Sequence, residues 1–147
     1  MAHAQIQGQD ATNDLEAALR GPLIREGDTS YDETRKVYNA MIDKRPALIA
    51  RCADVADVMR AVRFASSRGL ELAVRSGGHH GGGLSLCDGG LVIDLALLNG
   101  VRVDPEARTV RVEGGATWGK VDHALREEAA VPPPKCATAA STRPAGL

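Results

Sequence analysis

The segment from Arg75 to Ser85 carries the residues whose types and spacing could do chemistry. It reads Arg-Ser-Gly-Gly-His-His-Gly-Gly-Gly-Leu-Ser, with five glycines around two histidines, directly after an apolar run. Glycine permits positive φ angles and close backbone approach, so successive N–H groups can converge on an anion. Arginine adds fixed charge with forked donors, and imidazole is a nucleophile or proton carrier near neutral pH. These residue types predict a loop that wraps an anionic ligand and offers an imidazole to a reactive group.

Other interpretations of this loop are weaker. His79 and His80 could hold a metal ion, but adjacent side chains of an extended segment point to opposite faces, and no further ligand pattern lies nearby. We therefore predict no metal site. The loop is neither a Walker site, since no Gly-Lys-Ser/Thr follows, nor a GxGxxG turn, since a strand comes next. For Arg75, a surface charge at the end of a strand is the alternative to ligand binding.

Length and composition narrow the class of protein. A chain of 147 residues with 44% hydrophobic and 25% charged residues suits one globular domain. A formal net charge of −1 gives no footprint for nucleic acid or for an anionic membrane. No apolar run has the length of a membrane span and the N-terminus lacks a signal-peptide pattern, so we expect a cytoplasmic protein. Cys52, Cys87 and Cys136 lack CxxC spacing, which predicts free thiols.

Periodicity and turn residues predict the elements that must position the loop. Residues 1–13 are expected to be a disordered lead-in, and Asn13 or Asp14 to cap a short helix that ends at Gly21. Residues 14–45 then comprise this helix and an irregular arm. Residues 46–130 form the next predicted region.

A β-α-β unit is predicted at the start of that region. Residues 46–51 and 71–75 fit strands, and Asp54 caps the helix between them, which ends at Gly69. The helix is expected to turn one apolar face to the core. That face comprises Val55, Val58, Met59, Val62 and Ala65.

The following elements complete the predicted fold. Residues 91–95 fit a strand, and residues 101–103 and 109–113 fit a hairpin with a turn at Pro105. A helix follows from about Thr117, with one face formed by Val121, Ala124 and Leu125. The predicted fold class is α+β, a small mixed sheet flanked by helices. We expect Trp118 to pack in the interior, His123 to face solvent, and Asp94 to be a structural carboxylate.

Several motifs, in this order, resemble one known family. Arg-Ser-Gly-Gly-His and Gly-Leu-Ser are followed by Gly-Leu-Val-Ile-Asp-Leu and by Val-Asp-Pro-Glu-Ala-Arg-Thr-Val-Arg-Val-Glu-Gly-Gly-Ala-Thr-Trp. From Leu19 to Leu125 the chain resembles the N-terminal FAD-binding region of flavin-linked oxidases of the vanillyl-alcohol oxidase and p-cresol methylhydroxylase type. The resemblance is to the berberine-bridge-enzyme-like branch in particular. It implies that residues 46–130 are the N-terminal part of an α/β-type FAD-binding subdomain, incomplete relative to the family, with FAD held by the glycine loop.

The resemblance also implies roles for individual residues. His79 matches the histidine that in many members is bonded covalently to the 8α carbon of the flavin, and a neutral imidazole can attack such an electrophilic carbon. The implied cofactor-binding residues are Arg75, Ser76, Gly77, Gly78, His79, His80, Gly83, Leu84, Ser85, Gly114, Gly115, Ala116 and Thr117. No catalytic residue is nominated, because family members supply such groups largely from a portion that lies beyond this match.

The chain departs from the family pattern at two places. His80, Gly81 and Gly82 replace residues that are often Ser-Tyr or Asn-Val, and the added glycines should raise the cost of ordering the loop. Residues 131–147 are proline-rich, atypical of the family, and we hypothesise that they come from a shifted reading frame. Cys136 lies near the place of a second flavin linkage in some relatives, but its neighbours do not fit, so a free thiol is favoured.

Three functions follow from these observations. The first is the FAD-binding N-terminal portion of a flavin-dependent oxidoreductase that acts on alcohols, sugars or related small molecules, with the flavin linked through His79. The second is a truncated, non-catalytic remnant with weak or no flavin binding. The third is a phosphate- or nucleotide-binding module that does not use flavin. In each case we expect no nucleic-acid and no membrane partner.

Overall fold

The computed structural model describes residues 9–128, which form two sheets and the helices around them. In chain order the elements are α1 (Gln9–Ala18), β1 (Leu23–Arg25), α2 (Tyr31–Thr34), β2 (Leu48–Arg51), α3 (Val55–Ser67), β3 (Leu72–Arg75), β4 (Leu91–Asp94), β5 (Val101–Asp104), β6 (Thr109–Val112) and α4 (Trp118–Glu127). The predicted α+β class with a small mixed sheet is confirmed. The predictions for residues 1–8 and 129–147, including the tail and Cys136, lie outside the described residues.

The larger sheet has the strand order β1-β2-β4-β3. β1 runs antiparallel to β2, whereas β2, β4 and β3 are parallel to one another. The predicted β-α-β unit is present as β2, α3 and β3, but in the sheet β4 lies between β2 and β3. The register puts Arg51, Asp94 and Arg75 side by side at the carboxyl ends of these strands. Three charged residues therefore form one row at the edge where parallel sheets bind ligands.

The core lies on both faces of this sheet. On one face, Leu48, Ala50, Leu91 and Ile93 pack with buried residues of α1 and α3. On the other face, Ile49 and Val92 pack with buried residues that precede and follow β3, including Tyr31 and Leu86. All four residues of β4 are buried, as expected of a central parallel strand covered on both sides.

Helix α3 has the predicted ends but presents a different face to the core. Asp54 caps it by accepting a hydrogen bond from the N–H of Asp57 at 2.9 Å, and Gly69 ends it with a φ of +60°. The buried positions are Asp57, Ala61 and Ala65. The predicted apolar face was wrong at Val55, Met59 and Val62, which are exposed, and right at Ala65 and, in part, at Val58.

The buried carboxylate of Asp57 explains this rotation. Its oxygens accept hydrogen bonds from the backbone N–H groups of Arg20, Gly21 and Ala53, each at 3.0 Å. A carboxylate that satisfies three backbone donors must face the sheet side of the helix. The small side chains of Ala61 and Ala65 then occupy the contact, whereas Val55, Met59 and Val62 face outward.

The N-terminal region contains more regular structure than predicted. α1 begins at Gln9, so residues 9–13 are helical and the prediction that they are disordered was wrong. The arm predicted to be irregular contains β1 and α2. β1 is only three residues long, and its Leu23 and Ile24 are buried by pairing with β2. So short a strand has no periodicity that could be read from the sequence.

The predicted hairpin and last helix are present. β5 and β6 pair antiparallel, and the turn between them is closed by a 2.9 Å hydrogen bond from the N–H of Ala107 to Asp104. Val121 is buried on α4 and His123 is exposed, as predicted. Trp118 is 68% exposed, so its predicted packing role was wrong. None of the helices within residues 9–128 has the length and apolar character needed to cross a bilayer.

Candidate functional site

A cleft of about 880 Å³ lies at the carboxyl ends of β2, β3 and β4. Its walls come from α2 and the residues after it, from the ends of the three strands, from the start of the glycine loop, and from the segment that leads into α4. Of the predicted site residues, those that line the cleft are Arg75, Ser76, Gly77, Gly78, Gly115 and Thr117. The structure thus brings together residues from both predicted segments, which are about forty positions apart in the sequence.

A buried charge cluster forms the floor of this cleft. Asp94 is 1% exposed, and its Oδ2 accepts a 2.7 Å hydrogen bond from Nη2 of Arg75. Nε of Arg51 lies 3.4 Å from the same oxygen, and Oδ1 accepts a hydrogen bond from the N–H of Ala96 at 3.0 Å. Asp94 is therefore a structural carboxylate, as predicted.

Arg75 is only 6% exposed, so the interpretation of it as a surface charge was wrong. Besides Asp94, its guanidinium donates to the carbonyl oxygens of Thr34, the last residue of α2, and of Lys36, which follows the helix. Arg75 therefore ties this segment to the sheet. Its donors are largely used by the protein, so its contribution to a ligand in the cleft is charge more than forked hydrogen bonds.

The cleft carries a net positive charge. Its basic lining residues are Lys36, Arg51, Arg75 and Lys120, whereas its acidic lining residues are Glu33 and Asp94. Nζ of Lys120 donates to the carbonyl of Asn99 at 3.2 Å, which holds this ammonium at the rim. A concave surface with excess positive charge attracts an anionic ligand more strongly than a flat one does.

The first half of the glycine loop carries backbone donors that have no hydrogen-bond partner among residues 9–128. Gly78 has a φ of +70°, a conformation that glycine adopts without strain. Within residues 9–128, the N–H groups of Gly77, Gly78 and His79 make no hydrogen bond. Because Gly77 and Gly78 line the cleft, their donors are available to an anion bound there.

A direct hydrogen bond links the glycine loop to the segment of residues 114–117. The hydroxyl of Ser76 donates to the carbonyl oxygen of Gly114. The N–H of Gly115 donates to Leu98 at 2.7 Å, and a Cβ at Gly115 would collide with the carbonyl of Leu95. Glycine at this position is therefore required by close backbone approach, which seats the second segment against the end of the sheet.

The two histidines have different environments. The imidazole of His79 lies against Gly77, since a Cβ placed on Gly77 would be 2.8 Å from its Cδ2. It also contacts the ring of Tyr38, with 5.5 Å between ring centroids. His80 instead turns back on the loop, where its Nδ1 accepts hydrogen bonds from the N–H groups of Gly82 at 3.1 Å and Leu84 at 3.4 Å. Only His79 is placed beside the cleft lining.

The remaining predicted residues do not line the cleft. Gly83 has a φ of +69° and lies against Ile42, and its N–H donates to the carbonyl of His80 at 3.1 Å. Leu84 is exposed, whereas Ser85 is buried with an Oγ that has no hydrogen-bond partner among the described residues. The other two are Gly114 and Ala116, whose backbone groups bond to Ser76 and Glu113. Their roles in binding stay predictions.

Sequence reasoning missed the residues that complete the cleft. Arg51 ends β2 as Arg75 ends β3, so comparing the ends of predicted parallel strands could have found it. Lys36 and Lys120 lie in segments whose positions relative to the loop depend on tertiary packing. For these two lysines the sequence carries no local signal.

Two further predictions concern metals and thiols. Residues 9–128 contain no cluster of histidine, cysteine and carboxylate side chains that could hold a metal ion. Cys52 and Cys87 are buried and free. Burial raises the pKa of the Cys52 thiol to about 12 and that of Cys87 to about 11, so neither is a nucleophile near neutral pH.

Comparison with known proteins shows one family. The profile of a family described as "FAD binding domain" matches residues 46–143. The chain is 38% identical over 102 residues to (R)-6-hydroxynicotine oxidase of Paenarthrobacter nicotinovorans, covering 69% of this chain and 22% of that protein. It is 32% identical over 111 residues to an FAD-linked oxidoreductase of Dictyostelium discoideum, covering 75% of this chain and 24% of the relative.

Solved structures agree with this relationship. The crystal structure of 6-hydroxy-D-nicotine oxidase from Arthrobacter nicotinovorans superposes with a TM-score of 0.71 and 36% identity, covering 74% of this chain and 24% of that one. BBE-like 1 from Physcomitrella patens gives a TM-score of 0.71 and 26% identity, covering 79% of this chain and 26% of the other. The chain thus spans about a quarter of the length of these relatives.

Proposed function

Because this chain belongs to the FAD-binding domain family of flavin-dependent oxidoreductases, we propose that its cleft holds the FAD pyrophosphate and that His79 is the point of covalent attachment. One observation carries the proposal. Gly77 and Gly78, whose N–H groups make no hydrogen bond within residues 9–128, line a positively charged cleft, and the imidazole of His79 lies against Gly77. We further propose that the whole protein oxidises an alcohol, a sugar or a related small molecule, and that it works in the cytoplasm.

The residues of the cleft fit a pyrophosphate. The ligand would carry two negative charges, and the lining has four basic and two acidic side chains. Gly77 and Gly78 would donate backbone hydrogen bonds to phosphate oxygens, as successive N–H groups do in other anion sites. Arg51 would contribute charge from the floor, because its guanidinium is only partly exposed and points along the cleft beside Asp94.

His79 has the chemistry needed for attachment. An imidazole nitrogen of His79 would bond to the 8α carbon of the isoalloxazine, while its N–H bond and one 8α C–H bond break. The two electrons and two protons released by these bond changes would be taken up by dioxygen as hydrogen peroxide, so attachment requires this oxidant. Bound FAD itself supplies the two-electron chemistry of substrate oxidation. His80 is less suited, because its Nδ1 already accepts two backbone hydrogen bonds.

The test compares ligands on the 147-residue chain. FAD and ADP are titrated by calorimetry, and protein incubated with FAD is then precipitated with acid and measured for flavin by fluorescence and mass. We expect FAD to bind, and flavin to stay with the acid-treated protein. Equal binding of ADP and FAD would favour a nucleotide-binding module, and no binding of either would contradict the proposed cleft.

Two histidine variants assign the attachment point. His79→Ala should abolish covalent flavin while FAD still binds, because the backbone donors of the loop are retained. His123→Ala is the matched control, since this histidine is exposed on α4 and away from the loop. Covalent flavin on the His79→Ala protein would show that another residue forms the link.

A further inference from the structure

The glycine loop rests on residues 37–42, a segment for which the sequence predicted only an irregular arm. The N–H of Tyr38 donates to the carbonyl of Gly78 at 3.2 Å, and Nδ2 of Asn39 donates to the carbonyl of Gly81 at 3.0 Å. These two bonds lie on either side of His79 and His80 in the loop. The backbone that carries both histidines is therefore fixed relative to this segment.

The side chain of Tyr38 adds a contact to one histidine. Its ring is tilted by 45° to the imidazole of His79, with 5.5 Å between centroids, which falls in the range of about 4.5–7 Å typical of aromatic pairs. Tyr38 is 81% exposed, so this ring does not serve the core. Its backbone bond to Gly78, the residue before His79, sets the position from which the ring reaches the imidazole.

We propose that Tyr38 is a positioning residue for His79. An exposed imidazole ordinarily samples several rotamers, and a nucleophile that must meet one carbon loses rate when it is misplaced. Here the imidazole lies beside the ring of Tyr38 and beside Gly77, which has no side chain. The ring limits the imidazole to the orientation beside the cleft before any ligand binds. The inference rests on the proposed role of His79 in covalent attachment.

The orientation can be measured without flavin. Imidazole carbon–proton NMR signals of the 147-residue chain are compared in the wild type, Tyr38→Phe, Tyr38→Ala and Met41→Ala. The ring-current shift of His79 should persist in Tyr38→Phe and be lost in Tyr38→Ala. Met41 is exposed in the same segment and is the matched control, and the His123 signal is the internal reference. Unchanged His79 signals in Tyr38→Ala would overturn the proposal.

The second measurement separates positioning from binding. With FAD added, Tyr38→Ala should slow covalent attachment by on the order of tenfold or more, with little change in FAD affinity, because a misplaced nucleophile costs rate. Tyr38→Phe should attach flavin at the wild-type rate. An affinity loss as large as the rate loss would mean that Tyr38 supports the loop as a whole, and would overturn the proposal. If the wild type attaches no flavin, the proposed linkage fails, and the NMR comparison alone decides whether Tyr38 orients His79.

Discussion

Replacing Asp94 by asparagine should strongly destabilise the protein, because it breaks a buried ion pair beneath the cleft. Asp94 and Arg75 are both almost fully buried and are joined at 2.7 Å, with Arg51 3.4 Å from the same oxygen. Asparagine either keeps the hydrogen bond from Ala96 and turns its NH₂ group toward the guanidinium, or turns its neutral oxygen to the guanidinium and loses the bond from Ala96. Removing one partner of a buried pair costs about 3–5 kcal/mol, since the other charge stays buried.

This cost is large relative to the stability of a small domain, which is about 5–15 kcal/mol. Urea unfolding followed by circular dichroism should therefore show a lower midpoint for Asp94→Asn with an unchanged slope. Asp104→Asn is the matched control. Its carboxylate is exposed and bonds only to the N–H of Ala107, which asparagine can also do, so the change should stay within about 0.5 kcal/mol.

A third variant tests whether burial of charge is the cause. When both members of a buried pair are replaced by apolar residues, stability is often retained. The double variant Arg75→Met with Asp94→Leu should therefore recover much of the stability that Asp94→Asn loses. A cost below about 1 kcal/mol for Asp94→Asn would refute the reasoning, because an exposed pair contributes no more than that.

Three further variants test the supports of the loop and of α3. Burial alone would raise the pKa of Asp57, but hydrogen bonds from backbone N–H groups outweigh burial and lower the pKa below its usual value. The ionised carboxylate therefore stabilises the fold above a pH of about 4, and this stabilisation is lost on acidification. Asp57→Asn should remove that dependence and be less stable at neutral pH, as measured by urea unfolding across pH. Gly83→Ala should lower the free energy of unfolding by about 2–4 kcal/mol, measured by heat or urea, because the residue has a positive φ and its Cβ would contact Ile42. Gly81→Ala is the control and should leave the free energy of unfolding unchanged, because a Cβ there would enter open space. His80→Ala should speed amide exchange in the loop and weaken FAD binding, because two N–H groups lose their acceptor, and equal exchange rates would contradict this.

Elements with local signals could be predicted from the sequence. The cap at Asp54, the stop at Gly69 and the hairpin turn after Asp104 are each set by residues within a few positions, and each is present. The buried face of α3 could not be predicted, because an apolar repeat cannot show that Asp57 will accept three backbone donors from two other segments. There, tertiary hydrogen bonding decided the rotation of the helix.

The candidate site likewise has one part that could be predicted from the sequence and one part that could not. The glycine loop and its histidines were identified from residue types alone, since backbone freedom and imidazole chemistry are properties of those residues. Lys36 and Tyr38 were missed, because they reach the loop through contacts with partners about forty positions away. No periodicity or turn signal in residues 37–42 indicates that this segment supports the loop.

The second half of the loop, where the added glycines lie, is held together by hydrogen bonds to His80. Its imidazole accepts from Gly82 and Leu84, while the N–H of Gly83 donates to the carbonyl of His80. Three N–H groups in the second half of the loop therefore have acceptors on His80, and the φ of +69° at Gly83 is one that glycine adopts without strain. In the first half, by contrast, the N–H groups of Gly77, Gly78 and His79 make no hydrogen bond within residues 9–128. The hydrogen bonds that His80 accepts within the loop thus support the proposal that His79, and not His80, is the point of flavin attachment.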